Sequence, residues 1–260
     1  MVAIRLTVQS NVVSEERLEA ALTVAKDIRA EEGCLQYEIF RSIEFPENLA
    51  QLELWASEAA LDAHCRRLRD EPSRGGLLAD GSAQVSAPNH YGMPHAPRRD
   101  GMSGVEVYPY ARFARSPEEV WARADEKERI QSVRWPAWSG VRIVIQTNMP
   151  PEGEPAAIKN SIRTRKEPGC QQFEYYRSME FPENTALFEL WRDPEIYDIH
   201  YLNRLKERVY GTPDPSPWRW AIERRYGQIG LEWYQHAFFV EIDGVWQPEN
   251  PAQRMITVQW

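Results

Sequence analysis

Two histidines, His64 and His200, each stand nine residues after a tryptophan, Trp55 and Trp191, and each tryptophan stands two residues after a glutamate, Glu53 and Glu189. Imidazole titrates near neutrality, so a histidine held against an acidic hydroxyl can take its proton as a general base. Helical spacing puts His64 on one face with Leu61 and Cys65, and His200 with Tyr197 and Tyr201, pointing toward whatever sheet the helix covers. The competing reading is a core histidine bonded to backbone or to a carboxylate. Glu53 and Glu189 share a strand face with the tryptophans, Glu38 and Glu174 fall on the face opposite Tyr37 and Phe173, and a buried carboxylate is costly unless paired. Arg5 and Arg142, on the polar faces of the first strands, are the expected partners.

These residues fall inside a repeat. Residues 33–64, GCLQYEIFRSIEFPENLAQLELWASEAALDAH, reappear without a gap at 169–200 as GCQQFEYYRSMEFPENTALFELWRDPEIYDIH, identical at 17 of 32 positions. Two copies at so long a period indicate duplication of a small domain rather than a solenoid. In the first copy Val2, Ile4, Leu6 and Val8 alternate with polar neighbours as in a half-buried strand, and Ser14 caps a helix that Gly33 ends. Residues 35–40 alternate again, FPEN at 45–48 supplies the turn of a hairpin whose second strand ends at Trp55, and Ser57 caps a second helix. VEVYPYARF at 105–113 is the last strand. The second copy repeats this order with VRIVIQTN at 141–148, a weaker helix near 155–165, the hairpin at 171–191, a helix capped by Asp193, and GLEWYQHAFF at 230–239. Strand, helix, strand, strand, helix, strand makes a ferredoxin-like α+β unit.

The expected domains are 1–113, a linker at 114–139 with a helix near 117–130 after the capping pattern Ser116-Pro117-Glu118-Glu119, and 140–260 with a C-terminal extension that adds one more strand. Residues 71–103, rich in Gly, Pro, Ser and Ala, read as a lid or a mobile loop, and a short helix is expected to start at Ser216-Pro217. A net charge of −8 from 39 acidic and 31 basic residues, with no basic cluster, argues against nucleic acid or an anionic membrane as partner. No apolar stretch exceeds strand length, which leaves the cytoplasm as the expected location. Cys34, Cys65 and Cys170 are too scattered for a disulfide framework or zinc site and read as reduced packing residues. The five histidines show no metal-ligand spacing, so no metal is expected.

The pattern E-x-G-C-x-Q-[YF]-E-x-[FY]-R-S, then F-P-E-N, then E-L-W, then D-x-H, at 31–64 and 167–200, resembles the antibiotic biosynthesis monooxygenase family, quinol monooxygenases included. The resemblance implies two ferredoxin-like sheets packed as a dimeric α+β barrel, here formed within one chain, acting as a monomer or a further homo-oligomer. It also implies oxidation of a small electron-rich aromatic or quinol by dioxygen without cofactor, at a pocket that the tryptophan lines. Carried onto this sequence, Trp55 and Trp191 would bind substrate, and Gln51 and Leu187 stand where the family has an asparagine. The family's tyrosine is kept as Tyr197 but is Leu61 in the first copy. That difference assigns catalysis to His200 and Tyr197 before His64 and predicts unequal pockets. The same fold also implies two alternatives, a non-catalytic ligand-binding barrel and a haem-degrading monooxygenase.

Overall fold

The computed structural model describes residues 2–11, 14–70, 98–115, 121–123, 140–210, 226–227, 229–242, 245–248 and 250. The chain divides into two compact units, Met1–Tyr110 with Ala237–Trp260, and Ala111–His236. The fold class is α+β, and each unit is ferredoxin-like.

In the first unit, β1 (Ile4–Asn11), β2 (Cys34–Ser42), β3 (Asn48–Trp55) and β4 (Gly104–Pro109) form an antiparallel sheet ordered β4-β1-β3-β2, with α1 (Glu15–Ile28) and α2 (Glu58–Asp70) in the connections. The caps act as the residue types dictate: Ser14 Oγ accepts from Arg17 N and Ser57 Oγ from Ala60 N. The hairpin turn is fixed by Ser42 Oγ, which accepts from Phe45 N, and by Arg41 Nε, which donates to Pro46 O at 2.7 Å. Register places Val107, Leu6, Glu53 and Tyr37 in one row across the sheet, and Glu106, Thr7, Leu52 and Glu38 in the next row on the opposite face. Both faces are buried.

After the short hairpin β5 (Phe113–Arg115) and β6 (Trp121–Arg123), the second unit repeats the plan with β7 (Val141–Asn148), α3 (Glu154–Thr164), β8 (Cys170–Ser178), β9 (Asn184–Trp191), α4 (Pro194–Tyr210) and β10 (Gly230–Gln235), sheet order β10-β7-β9-β8. Asp193 Oδ1 caps α4 through Ile196 N at 2.9 Å, and Trp233, Ile143, Glu189 and Phe173 form the row equivalent to that of Glu53.

Four sequence expectations meet a different structure or fall outside it. Of the linking helix expected near 117–130, residues 121–123 form a strand paired with 113–115, ladder pairing outweighing helix propensity there, and the rest lies outside the described residues. The segment Ala237–Trp260 groups with the first unit rather than the second, through the bond from Ala237 N to Tyr108 Oη and contact of β11 (Phe239–Ile242) with β4. In it β11 pairs with β12 (Val245–Pro248), and residues 251–260 lie outside the described residues. The loop at 71–97 and the helix expected from Ser216-Pro217 lie outside the described residues.

Gly33 and Gly169 close the helix-to-strand turns at φ +81° and +80°, and both also sit under the following helix. A Cβ at Gly33 would stand 2.6 Å from the Ala60 Cβ, an atom fixed to the α2 backbone that cannot swing away. Gly33→Ala is therefore expected to lower unfolding stability by about 2–4 kcal/mol, backbone strain and overpacking together. Adding Ala60→Gly should return the overpacking share in urea unfolding; a double variant no more stable than the single one would show that this contact is not limiting.

Candidate functional site

β3 and α2 bring the first set of residues together. The rings of Trp55 and His64 stack with centroids 4.5 Å apart, and Trp55 Nε1 donates to Glu53 Oε2 at 2.8 Å. Gln51, two residues back on the same strand face, donates its Nε2 to Glu53 Oε1 at 2.5 Å. His64 Nε2 lies 4.0 Å from Glu53 Oε2, and His64 Nδ1 is 2.9 Å from Glu31 Oε2. Leu61 and Trp55 are both fully buried, and so is the His64 side chain at 0% exposure. Tyr37 sits edge-on to His64 at 6.1 Å; burial and the nearby Glu53 carboxylate hold its phenol well above the usual tyrosine range. That shift keeps Tyr37 neutral and removes it as an anionic base.

The second set has the same skeleton. Trp191 and His200 centroids are 4.4 Å apart, Trp191 Nε1 donates to Glu189 Oε2 at 2.8 Å, His200 Nε2 is 4.0 Å from Glu189 Oε2, and His200 Nδ1 is 2.7 Å from Glu167 Oε2. Tyr197 lies 6.2 Å from both His200 and Trp191 and 6.4 Å from Trp233. Leu187, buried where Gln51 stands in the first unit, offers Glu189 no donor. The surroundings differ as well: Ile39, Leu61, Cys65 and Val107 are matched by Tyr175, Tyr197, Tyr201 and Trp233, so the second unit is walled with rings. A cleft of about 560 Å³ opens between the end of α3, the turn into β8 and α4; Glu167, Pro168, Trp191, Ile196, His200 and Arg204 are among its lining. The His200 side chain is 7% exposed, against 0% for His64.

Every residue expected at a site is thus placed. Trp55, Gln51, Leu61 and His64 gather in one unit, and Trp191, Leu187, Tyr197 and His200 in the other. The arginines join the network of Glu38 and Glu174: Arg5 Nη1 donates to the Glu53 backbone carbonyl at 2.8 Å and to Gln36 Oε1, whose amide donates to Glu38, and Arg142 repeats this with Glu189 O and with Gln172, whose amide donates to Glu174. Alternation along β1 puts Arg5 in register with Leu54, on the face away from the Glu53 side chain. Glu31 and Glu167 are site residues that the sequence reading does not single out. A signal for them exists, since both open the E-x-G-C pattern 33 residues before a histidine, but nothing local ties the two ends together. Among the described residues the cysteines are free; Cys34 is half-buried, and burial together with the Glu53 and Glu31 charges pushes its thiol up to about 12, which makes it a poor nucleophile. Among the described residues no group of three or more His, Cys, Asp or Glu side chains is arranged to hold a metal, and no helix is long and apolar enough to cross a membrane.

Two ferredoxin-like units, each carrying a Glu-x-Trp strand end under a histidine, define an α+β protein with a duplicated helix-facing site. The family model described as "Antibiotic biosynthesis monooxygenase" matches residues 1–68 and 154–201, segments that contain both sets. The chain is 34% identical over 74 residues to "Putative monooxygenase YcnE" of Bacillus subtilis strain 168, spanning 28% of this chain and 74% of that protein. It therefore belongs to the antibiotic biosynthesis monooxygenase family. Solved structures that resemble it include a monooxygenase-designated protein of Lactobacillus acidophilus NCFM, 12% identical with a TM-score of 0.30 over 96% of this chain and 97% of that one. Another is a conserved protein of Methanosarcina mazei Go1, 24% identical with a TM-score of 0.27 over 42% of this chain and 92% of that one.

Proposed function

We propose that this chain is a cofactor-independent monooxygenase that oxidises an electron-rich aromatic or quinol with dioxygen, and that the second unit does the chemistry. The observation that carries the proposal is the cleft that reaches Trp191 and His200. It offers an aromatic ring the aliphatic side of Ile196, with the His200 imidazole in the same wall as a general base. A hydroquinone held there loses its hydroxyl proton to His200 Nε2. The anion left behind passes one electron to dioxygen, giving a ring radical and superoxide. Their coupling at a ring carbon that bears hydrogen gives a hydroperoxide, which loses water to leave a quinone carbonyl, one oxygen atom in the product and the other in water. The substrate supplies the electrons, so the protein has only to bind the ring, take the proton and stabilise charge. Glu189, 4.0 Å from Nε2, stabilises the imidazolium that forms. Family membership supports the reaction class. The sealed His64 supports a structural part for the first unit.

Purified protein, treated with chelator and checked to carry no flavin or haem, is mixed with hydroquinones and anthrone-like phenols while oxygen uptake is followed. Uptake and quinone formation above the protein-free rate are expected. Rates equal to the protein-free control across such substrates would overturn the proposal.

A further inference from the structure

The two histidines share a feature that the reaction class alone does not supply. Each has its Nδ1 on a carboxylate from the turn before β2 or β8, and each of those carboxylates is in turn held by an arginine. Arg67 Nη1 lies 3.1 Å from Glu31 Oε1, and Arg204 Nη2 donates to Glu167 Oε1 and to Thr164 Oγ1. The arginines are not equivalent in the repeat. Arg67 stands three residues after His64, and Arg204 stands four after His200, where the matching positions hold Leu68 and Asn203. Positions three and four apart share a helix face, so both reach the same carboxylate. The same clamp is built twice from different places in the sequence.

The backbone of the glutamate is fixed as well. Glu31 O accepts from Cys34 N and Glu167 O from Cys170 N, across turns that the positive φ of Gly33 and Gly169 permits. An ionised carboxylate accepts and cannot donate, so the ring atom facing it carries the proton. The other ring nitrogen is then the one with a lone pair, and it faces the Glu189–Trp191 pair in the second unit and the Glu53–Trp55 pair in the first.

We propose that Glu167 is a positioning residue for His200, and Glu31 for His64: each carboxylate takes the Nδ1–H of its histidine and leaves Nε2 as the proton-accepting atom, with the arginine locking the carboxylate in place. In the second unit the proton moves from a bound hydroxyl to Nε2, the imidazolium shares its charge with Glu167, and the proton leaves to solvent through the cleft. The catalytic consequence rests on the monooxygenase reading; the tautomer does not.

The test is nitrogen-15 NMR of protein labelled in histidine, with the His200 signals assigned by their loss in His200→Asn. The native protein is expected to show His200 in the Nδ1–H form. Glu167→Gln should give a mixture of tautomers, because an amide can donate to Nδ1 as well as accept from it, and Glu167→Asp should restore part of the native pattern. On a substrate that the protein oxidises, Glu167→Gln should lower kcat on the order of tenfold with KM nearly unchanged. A native Nε2–H tautomer, or an unchanged one in a folded Glu167→Gln protein, would overturn the inference. The expected tautomers in a protein that oxidises no aromatic substrate would sink the proposed function and leave the positioning role standing.

Discussion

His200→Asn is expected to lower kcat by about 10²- to 10⁴-fold, the range over which a positioned general base contributes, while His64→Asn changes it by no more than a few fold. The contrast follows from access. Both imidazoles stack on a tryptophan, at 4.4 and 4.5 Å, and both stand 4.0 Å from a carboxylate oxygen, so composition does not separate them. What separates them is that His200 lines a cleft and His64 is wholly enclosed. A base that substrate cannot reach does not accelerate its ionisation. Steady-state oxygen uptake checks this, with circular dichroism and urea unfolding to confirm that each variant is folded. Equal losses from the two substitutions would show that both units turn over, and the proposed division of labour would fall.

The second large effect is on stability. Trp191→Ala is expected to cost about 3–5 kcal/mol, the range for removing a fully buried tryptophan, because the ring packs on His200 and Tyr197 and its loss forfeits those contacts. Trp191→Phe separates packing from hydrogen bonding: it keeps an aromatic ring and deletes the Nε1–H that Glu189 accepts at 2.8 Å. Losing one donor to a buried carboxylate costs about 1–3 kcal/mol. Trp55→Phe should cost less, because Gln51 still donates to Glu53, whereas the aliphatic Leu187 occupies that place beside Glu189. Urea midpoints for the two phenylalanine variants give the comparison directly. A smaller loss at Trp191 than at Trp55 would mean that the Gln51 contact does not support Glu53.

Much of each unit is written in short-range pattern. Alternation puts Glu53 and Trp55 on one face of β3 and Glu38 on the opposite side of β2, and the register bears this out. Ser14, Ser57 and Asp193 cap the helices they precede, and Arg41 and Arg177 hold their hairpin turns through the carbonyls of Pro46 and Pro182. These features involve groups a few residues apart, whose meeting is decided by bond geometry and the periods of strand and helix. Trp and His could also be seen to share a region, because strand end and helix face succeed one another directly.

What the sequence by itself determined is therefore the duplicated α+β unit, its caps and faces, and the list of side chains from which a site could be made. The tertiary structure alone decided which of them meet and which can be reached. It brought Glu31 and Glu167 across 33 residues onto the histidines, drew arginines from unequal positions to the equivalent carboxylate, and placed Ala237 against Tyr108. It also left His200 at the wall of a cleft and closed His64 in. Such outcomes depend on how distant surfaces pack and on where solvent is excluded, quantities that belong to the whole fold and to no local stretch of chain.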